Sequence, residues 1–271
     1  MIRGENLSKY YGDVAALTPT DIHIRAEAIT VIMGGSGSGK TTLLRLLAGL
    51  AKPTEGHVFY GDENLSTISV KRLYQLRERI GMLFQYSALL NSMNVYDNVA
   101  FPLHEHTDLD EDVIRTMVAM KLEQVGLRGF EHLMPSELSG GMAKRVAFAR
   151  AMAMDPRIVF FDEPTSGLDP ISAGVISTLI QDTSAMNRMT SVVVTHDVTA
   201  GLRIADHVIL LWQGSIIAEG SAEEIRNSDD DRVQQFLEGR PDGPIPFSRS
   251  TTSYVEDITH KPGTVRLDAH E

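Results

Sequence analysis

Eight residues constrain this chain more than any others: Gly34-Gly35-Ser36-Gly37-Ser38-Gly39-Lys40-Thr41. They fit the pattern G-x-x-x-x-G-K-[ST], in which glycines let a loop wrap so that its backbone N–H groups point inward at phosphate oxygens. The pattern means little without a strand before it and a helix after it. Both are expected here. Ile29-Thr30-Val31-Ile32-Met33 is a continuous apolar run, and Lys40 to Gly49 carries Leu43, Leu44, Leu46 and Leu47 at helical spacing. The start of that helix adds its partial positive charge to the loop. The expectation is a nucleoside-triphosphate site built from Gly34, Gly35, Ser36, Gly37, Ser38, Gly39, Lys40, Thr41 and Thr42. Lys40 is placed to meet the β- and γ-phosphates, and the Thr41 hydroxyl to ligate Mg²⁺.

Three further runs are short, apolar and rich in β-branched or aromatic residues: Ile158 to Phe161, Ser191 to Thr195 and His207 to Leu211. Runs without polar alternation suit strands buried on both faces, as in a parallel sheet flanked by helices. The fold class is therefore α/β, a doubly wound parallel sheet. The stretch 87–156 breaks the pattern. Asp110 to Val125 and Ser139 to Met154 read as helices with no strand between them. The stretch also holds Met93, Met117, Met120, Met134, Met142, Met152 and Met154, seven of the chain's 12 methionines. It reads as an all-helical lobe inserted between sheet strands. Its methionines suit either an adaptable apolar docking surface or ordinary core filling. From Gly239 onward, Pro241, Pro244, Pro246 and Pro262 among Ser, Thr and Asp indicate an irregular tail.

Composition narrows the partners. Among 271 residues, 25 Lys and Arg against 36 Asp and Glu give a net charge of -11, which argues against nucleic acid as the main partner. With no Cys there is no disulfide, thiolate nucleophile or Cys-bound zinc, which fits a reducing compartment. No run approaches the roughly 20 apolar residues that span a bilayer, and Met1 to Asn6 lacks the pattern of a signal peptide. Action at a membrane would need another subunit as anchor.

The apolar run Ile158 to Phe161 ends in Asp162-Glu163. In a phosphate-loop protein a carboxylate here holds Mg²⁺, directly or through water, which gives Asp162 its role. Glu163 is then the natural general base for a water aimed at the γ-phosphate. Alone, such a pair is more often a solvated turn; beside the phosphate loop it is not. A third strand ends at His196, so Gly34, Asp162 and His196 fall at strand ends, where open α/β sheets bind ligands. Between these motifs, Leu138-Ser139-Gly140-Gly141-Met142 opens a helix and makes a second anion-binding terminus. One site does not need two. A symmetric dimer uses both, each subunit's Ser-Gly-Gly turn closing over the other's nucleotide.

At this point the chain resembles the ATP-binding-cassette (ABC) ATPases over residues 1–237. The ordered set Tyr11, Gly34 to Thr41, Gln85, Leu138 to Gly141, Asp162-Glu163, Ser166 to Asp169 and His196 carries the resemblance. It implies a RecA-like P-loop core at 1–86 and 157–239, a helical subdomain at 87–156, a short antiparallel N-terminal β region and a C-terminal extension at 240–271. It further implies that ATP and Mg²⁺ are bound. Tyr11 would stack on adenine, with Tyr10 as its alternative, and Gln85 would sense Mg²⁺ and γ-phosphate. Ser139, Gly140 and Gly141 would meet the partner subunit's nucleotide, Asp169 would couple the two sites, and His196 would hold γ-phosphate and attacking water. Two positions depart from the family: Gly35 replaces a common Pro, and Met142 replaces the usual Gln of the signature, losing the amide's hydrogen bonds.

The Met-ending signature, with Val233 to Leu237 followed by Asp242 to Phe247, is similar to the ATPase subunits of bacterial Mla (maintenance of lipid asymmetry) phospholipid transporters. That likeness implies a homodimer at the cytoplasmic face of the inner membrane, two multispanning permease subunits, a periplasmic lipid-binding protein and a STAS-domain regulator. Phe247 and Tyr254 are then expected to anchor residues 241–255 on a partner, the other ATPase subunit or the regulator. The rival expectations are an importer ATPase for a small polar solute and a soluble nucleotide-gated module acting on DNA or ribosomes.

Overall fold

In a computed structural model, residues 1–245 are described. The chain divides into two compact units, residues 1–228 and 229–271. The first is organised around a six-stranded sheet in the order β10-β9-β3-β8-β7-β6. Its strands are β3 (Ile29–Gly34), β6 (Ile80–Leu83), β7 (Ile158–Asp162), β8 (Thr190–Thr195), β9 (His207–Trp212) and β10 (Ser215–Gly220). All neighbours pair in parallel except the edge strand β10. Every residue of β3 and β8 is buried, the reason their sequences show apolar runs instead of alternation.

Register decides what the sheet can do. Met33 lies opposite Thr195, and Asp162 opposite Val194. The carboxyl ends of β3, β7 and β8 are therefore level, bringing Gly34, Glu163 and His196 to one rim. Helix α1 (Lys40–Leu47) leaves that rim with Leu43, Leu44, Leu46 and Leu47 buried against Ile32, Phe160, Val192, Val194 and Ile209. Each such leucine contributes about 1.5–3 kcal/mol, so the helix that follows the loop is fixed firmly.

A second, antiparallel sheet has the order β2-β1-β4-β5, with β1 (Ile2–Tyr11), β2 (Val14–Ile24), β4 (Glu55–Tyr60) and β5 (Glu63–Asn64). It is larger than the short N-terminal region expected: β1 and β2 are 10 and 11 residues long. Between β4 and β7 come α2 (Val70–Arg77), β6, α3 (Val95–His106), α4 (Glu111–Gln124) and α5 (Gly140–Ala151). Asp110 precedes α4, and Ser139 caps α5 by accepting the Met142 N–H at 3.2 Å. Helix α3 was not anticipated because Pro102 lies inside it and interrupts the helical pattern. After β7, α6 (Pro170–Asn187) starts from an Asp169 cap with Pro170 in its first turn. Helices α7 (Val198–Ile204) and α8 (Ala222–Arg226) complete the unit.

In the second unit, α9 (Asp231–Glu238) ends at Gly239. The Gln235 amide donates to the Arg240 and Ile245 carbonyls and accepts the Ile245 N–H at 2.7 Å, which pins the start of the tail. Phe247, Tyr254 and most of 241–255 lie outside the described residues. Among those described, no helix is long and apolar enough to cross a membrane.

Candidate nucleotide site

The loop between β3 and α1 is shaped by glycines that cannot be replaced. Gly39 has φ 100°, and a Cβ there would lie 2.3 Å from the Ala16 carbonyl oxygen. Gly34 is equally confined: a Cβ would meet the Leu211 carbonyl at 2.3 Å and Ser38 Oγ at 2.5 Å. Lys40 Nζ reaches back across the turn to donate to the Gly34 and Gly35 carbonyls at 2.8 and 2.9 Å. Ser38 is 3% exposed, and its hydroxyl has no hydrogen-bond partner. A buried orphan hydroxyl in a glycine-shaped loop ahead of a helix N-terminus fits a phosphate oxygen. Beside the loop is a cleft of about 300 Å³ lined by Tyr11, residues 14–16 and residues 37–42. Tyr11 borders it and Tyr10 does not.

Across the rim, Thr41 Oγ1 donates to Asp162 Oδ1 at 3.5 Å. Glu163, 7% exposed, has a left-handed backbone at φ 48°. That turn is held by its own N–H, which donates to the Val194 carbonyl at 2.9 Å. His196 Nδ1 lies 2.8 Å from Glu163 Oε2, and the His196 backbone N–H donates to the same oxygen at 3.4 Å. The imidazole is otherwise exposed. Among the described residues, no group of three or more His, Cys, Asp or Glu could hold a metal alone. One hydroxyl and one carboxylate, completed by phosphate oxygens and water, is the donor set Mg²⁺ takes at nucleotide sites. Thr41 and Asp162 fit it.

Charges here are buried and mutually compensated. Burial pushes Lys40 below the usual lysine range, opposed by the nearby Glu163 and Asp162. Burial pushes the Asp162 carboxyl up, and Glu163 adds to the rise, while Arg45, the Thr41 hydrogen bond and Lys144 oppose it. Ser139 and Gly140 are exposed. Gly140 faces Leu168, and a side chain at Gly141 would meet Ser172 Oγ at 3.1 Å. The signature turn therefore sits against the start of α6, whose Asp169 caps the Ile171 and Ser172 N–H groups. It does not line the cleft beside the loop.

The ABC transporter family profile matches residues 17–166, from β2 through the phosphate loop and signature turn to Ser166. The chain belongs to the ABC transporter family. The ABC ATPase MlaF of Haemophilus influenzae, an intermembrane phospholipid transport system ATP-binding protein, is 46% identical over 258 residues, covering 95% of this chain and 98% of that one. Escherichia coli K12 MlaF is 51% identical over 230 residues, 85% of this chain and 86% of its own length. Among solved structures, the dimeric ABC cassette MJ0796 in a post-hydrolysis state with ADP and Pi aligns at TM-score 0.76. It is 31% identical and covers 82% of this chain and 99% of that one. Like these relatives, the chain is an ATPase cassette with the mixed α/β P-loop fold.

Of the residues anticipated from the sequence, the fold gathers Lys40, Thr41, Asp162, Glu163 and His196 at one rim. Gln85, just beyond β6, is half-buried. One residue of this ABC cassette escaped sequence reasoning. Lys144 of α5 is 5% exposed and donates to the backbone carbonyls of Gln85 and of Glu163, the latter at 3.2 Å. Burial pushes it below the usual lysine range, opposed by Asp162 and Glu163. In the folded chain Lys144 lies one turn before Phe148, which is buried and stacks on Phe161 of β7 at 5.8 Å. An i,i+4 partner of that ring lies on the same helix face and so turns towards the strand that ends in Asp162.

Proposed function

We propose that this chain is the ATP-hydrolysing subunit of a phospholipid transporter, working as a homodimer that sandwiches two ATP molecules. The observation that carries the phospholipid assignment is the agreement with MlaF over nearly the whole of both chains. Within each site, the amides of residues 34–39 and Lys40 hold the phosphates, Thr42 follows in the same helix turn, and Tyr11 stacks on adenine. Thr41 and Asp162 hold Mg²⁺, with Gln85 completing the set; the ion supplies neutralisation of phosphate charge. Glu163 takes the proton of the attacking water and His196 holds the γ-phosphate and that water, an assignment supported by the 2.8 Å contact that sets the imidazole beside the carboxylate. Ser139, Gly140 and Gly141 meet the partner's nucleotide, which agrees with the exposure of Ser139 and Gly140 and with the absence of all three from the lining of the chain's own cleft. Asp169 lies beside them and couples the two sites.

Residues 87–156 form the lobe that docks on multispanning permease subunits, and residues 240–271 contact the second subunit or a STAS-domain regulator. The assembly sits peripherally at the cytoplasmic face of the inner membrane and serves a periplasmic lipid-binding protein indirectly. Of the seven methionines in the lobe, Met120 is exposed and Met152 buried, and the other five are half-buried. The test is affinity capture of the full-length protein from detergent-solubilised membranes, with mass spectrometry of proteins and lipids. A multispanning permease with bound phospholipid is expected. A permease accompanied by a small-solute receptor, or ribosomal material, would refute the lipid assignment. Truncation after Gly239 should weaken dimer or regulator retention.

A further inference from the structure

Helix α5 begins at the partner-facing turn and runs back to the chain's own reacting groups. We infer that Lys144 is a positioning residue that transmits the placement of the Ser139–Gly141 turn to Glu163 and Gln85 of the same subunit. The inference rests on the roles proposed above for those two residues.

The geometry is that of a clamp. The single Lys144 ammonium bridges the backbone carbonyls of Gln85 and Glu163, which belong to two loops far apart in sequence. Six residues further along α5, Arg150 donates to the Ser87 and Ala88 carbonyls, both at 2.8 Å. One helix thus grips four main-chain carbonyls around the site. Three of the gripped residues, Ser87, Ala88 and Glu163, have left-handed backbones at φ 62°, 49° and 48°. Such conformations persist only where the surroundings over-determine them, and the α5 cations add to the hold that the Glu163 and Ser87 N–H groups make on the Val194 and Phe84 carbonyls.

A buried ammonium is costly unless its donors are used, and Lys144 uses them on main-chain atoms, which fix backbone position irrespective of side chain. The distance along the helix from Ser139 to Lys144 is about 7.5 Å at 1.5 Å per residue, too short for flexure. A shift of the signature turn, when the partner's nucleotide engages it, therefore moves Lys144 as part of a rigid body. The Glu163 carbonyl moves with it, and the carboxylate that depends on that backbone is re-aimed. Each subunit's base is thereby set by the other subunit's occupancy.

The test compares full-length Lys144→Met and Lys144→Arg with the parent in steady-state ATPase assays across ATP concentration. Lys144→Met keeps the stem and deletes the donors. Its kcat should fall about 10- to 100-fold, the scale of small misplacements at a reacting centre, with KM changed by less than about threefold. The steepness of the ATP dependence should drop to that of independent sites, and Lys144→Arg, which restores donors, should regain most of both. Unchanged kcat and steepness in Lys144→Met would overturn the inference. So would a raised KM with kcat intact, or losses that Lys144→Arg does not rescue and that follow a lowered thermal midpoint in both variants. If Lys144→Met does not fold, Lys144→Gln, whose amide can serve one carbonyl strongly, is judged by the same criteria. Failure of the underlying reading shows separately: turnover retained in Glu163→Gln would remove the role of Glu163 whatever the Lys144 variants do.

Discussion

Glu163→Gln separates chemistry from binding, because it should lower turnover without weakening the hold on ATP. The Glu163 carboxylate lies 2.8 Å from His196 Nδ1 and receives the His196 backbone N–H. A glutamine carbonyl can accept the same bonds, so the rim should keep its geometry. The φ of 48° is unchanged by the substitution, and no new strain enters. What disappears is a proton acceptor, worth about 10²- to 10⁴-fold in rate, or about 2.7–5.4 kcal/mol of barrier. Binding moves the other way. Glu163 is the first charge opposing the burial-driven fall of Lys40, so its field reaches the phosphate cradle. Removing a negative charge beside a polyphosphate favours the ligand, and ATP affinity should be equal or tighter. Phosphate release at saturating Mg-ATP, with equilibrium ATP binding and gel filtration in ATP, tests both halves. Loss of turnover with a trapped ATP dimer is expected. A fall in kcat of less than about tenfold, below the range for a lost general base, would refute the assignment.

Asp162→Asn should raise the thermal midpoint at neutral pH in EDTA while abolishing Mg-ATP turnover. The folded-state pKa of Asp162 is raised from 3.8 by burial and by Glu163, so the fold loses stability as pH rises through that window; the advantage of Asn should vanish near pH ~3, and a lower midpoint at neutral pH would refute the reasoning. Gly39→Ala forces a Cβ to 2.3 Å from the Ala16 carbonyl at φ 100°, which should displace the loop, cost about 1–3 kcal/mol in thermal denaturation and abolish ATP binding by calorimetry. Parental affinity would show that the loop tolerates the shift. Asn98, fully buried, bonds Leu90 through both N–H and carbonyl and also bonds the Met93 and Asn94 carbonyls. Asn98→Ala should cost about 2–4 kcal/mol in urea unfolding, and a loss under about 1 kcal/mol would mean that water replaces the amide.

What was legible in the sequence was whatever depends on pattern. Strands β3, β7, β8 and β9 are buried on both faces, so their apolar runs stood out, and motif residues lie at the ends of the first three. Strands β1 and β2 were harder to place: register shifts between Gly4 and Leu7, between Leu7 and Lys9, and between Lys9 and Tyr10 break the alternation that marks a half-buried strand. Helix α6 carries Ser, Thr and Gly through its length and shows no clear apolar stripe, although Asp169-Pro170 was a usable start signal. Lys144 was hidden for a different reason. Its partners are main-chain carbonyls of Gln85 and Glu163, and no side-chain pattern records which carbonyls a fold will bring together.

The same accounting explains why such a site can turn over instead of trapping its nucleotide. Lys40 is bonded to the Gly34 and Gly35 carbonyls, Asp162 to Thr41, Glu163 to His196 and Lys144 to the Gln85 and Glu163 carbonyls. Phosphates entering this rim exchange one set of hydrogen bonds for another, and the net gain of such an exchange is a small part of its gross strength. The buried Ser38 hydroxyl, which has no partner in the protein, gains a bond without giving one up. Tight binding of the ground state would lower KM without raising kcat. A cradle whose cations already have protein acceptors avoids that, and leaves the larger gain for contacts completed when a second subunit's Ser139 turn closes over the phosphates. If so, isolated protomers held apart by dilution should bind ATP only modestly, and affinity should rise with protein concentration; concentration-independent, tight binding would show that one rim suffices.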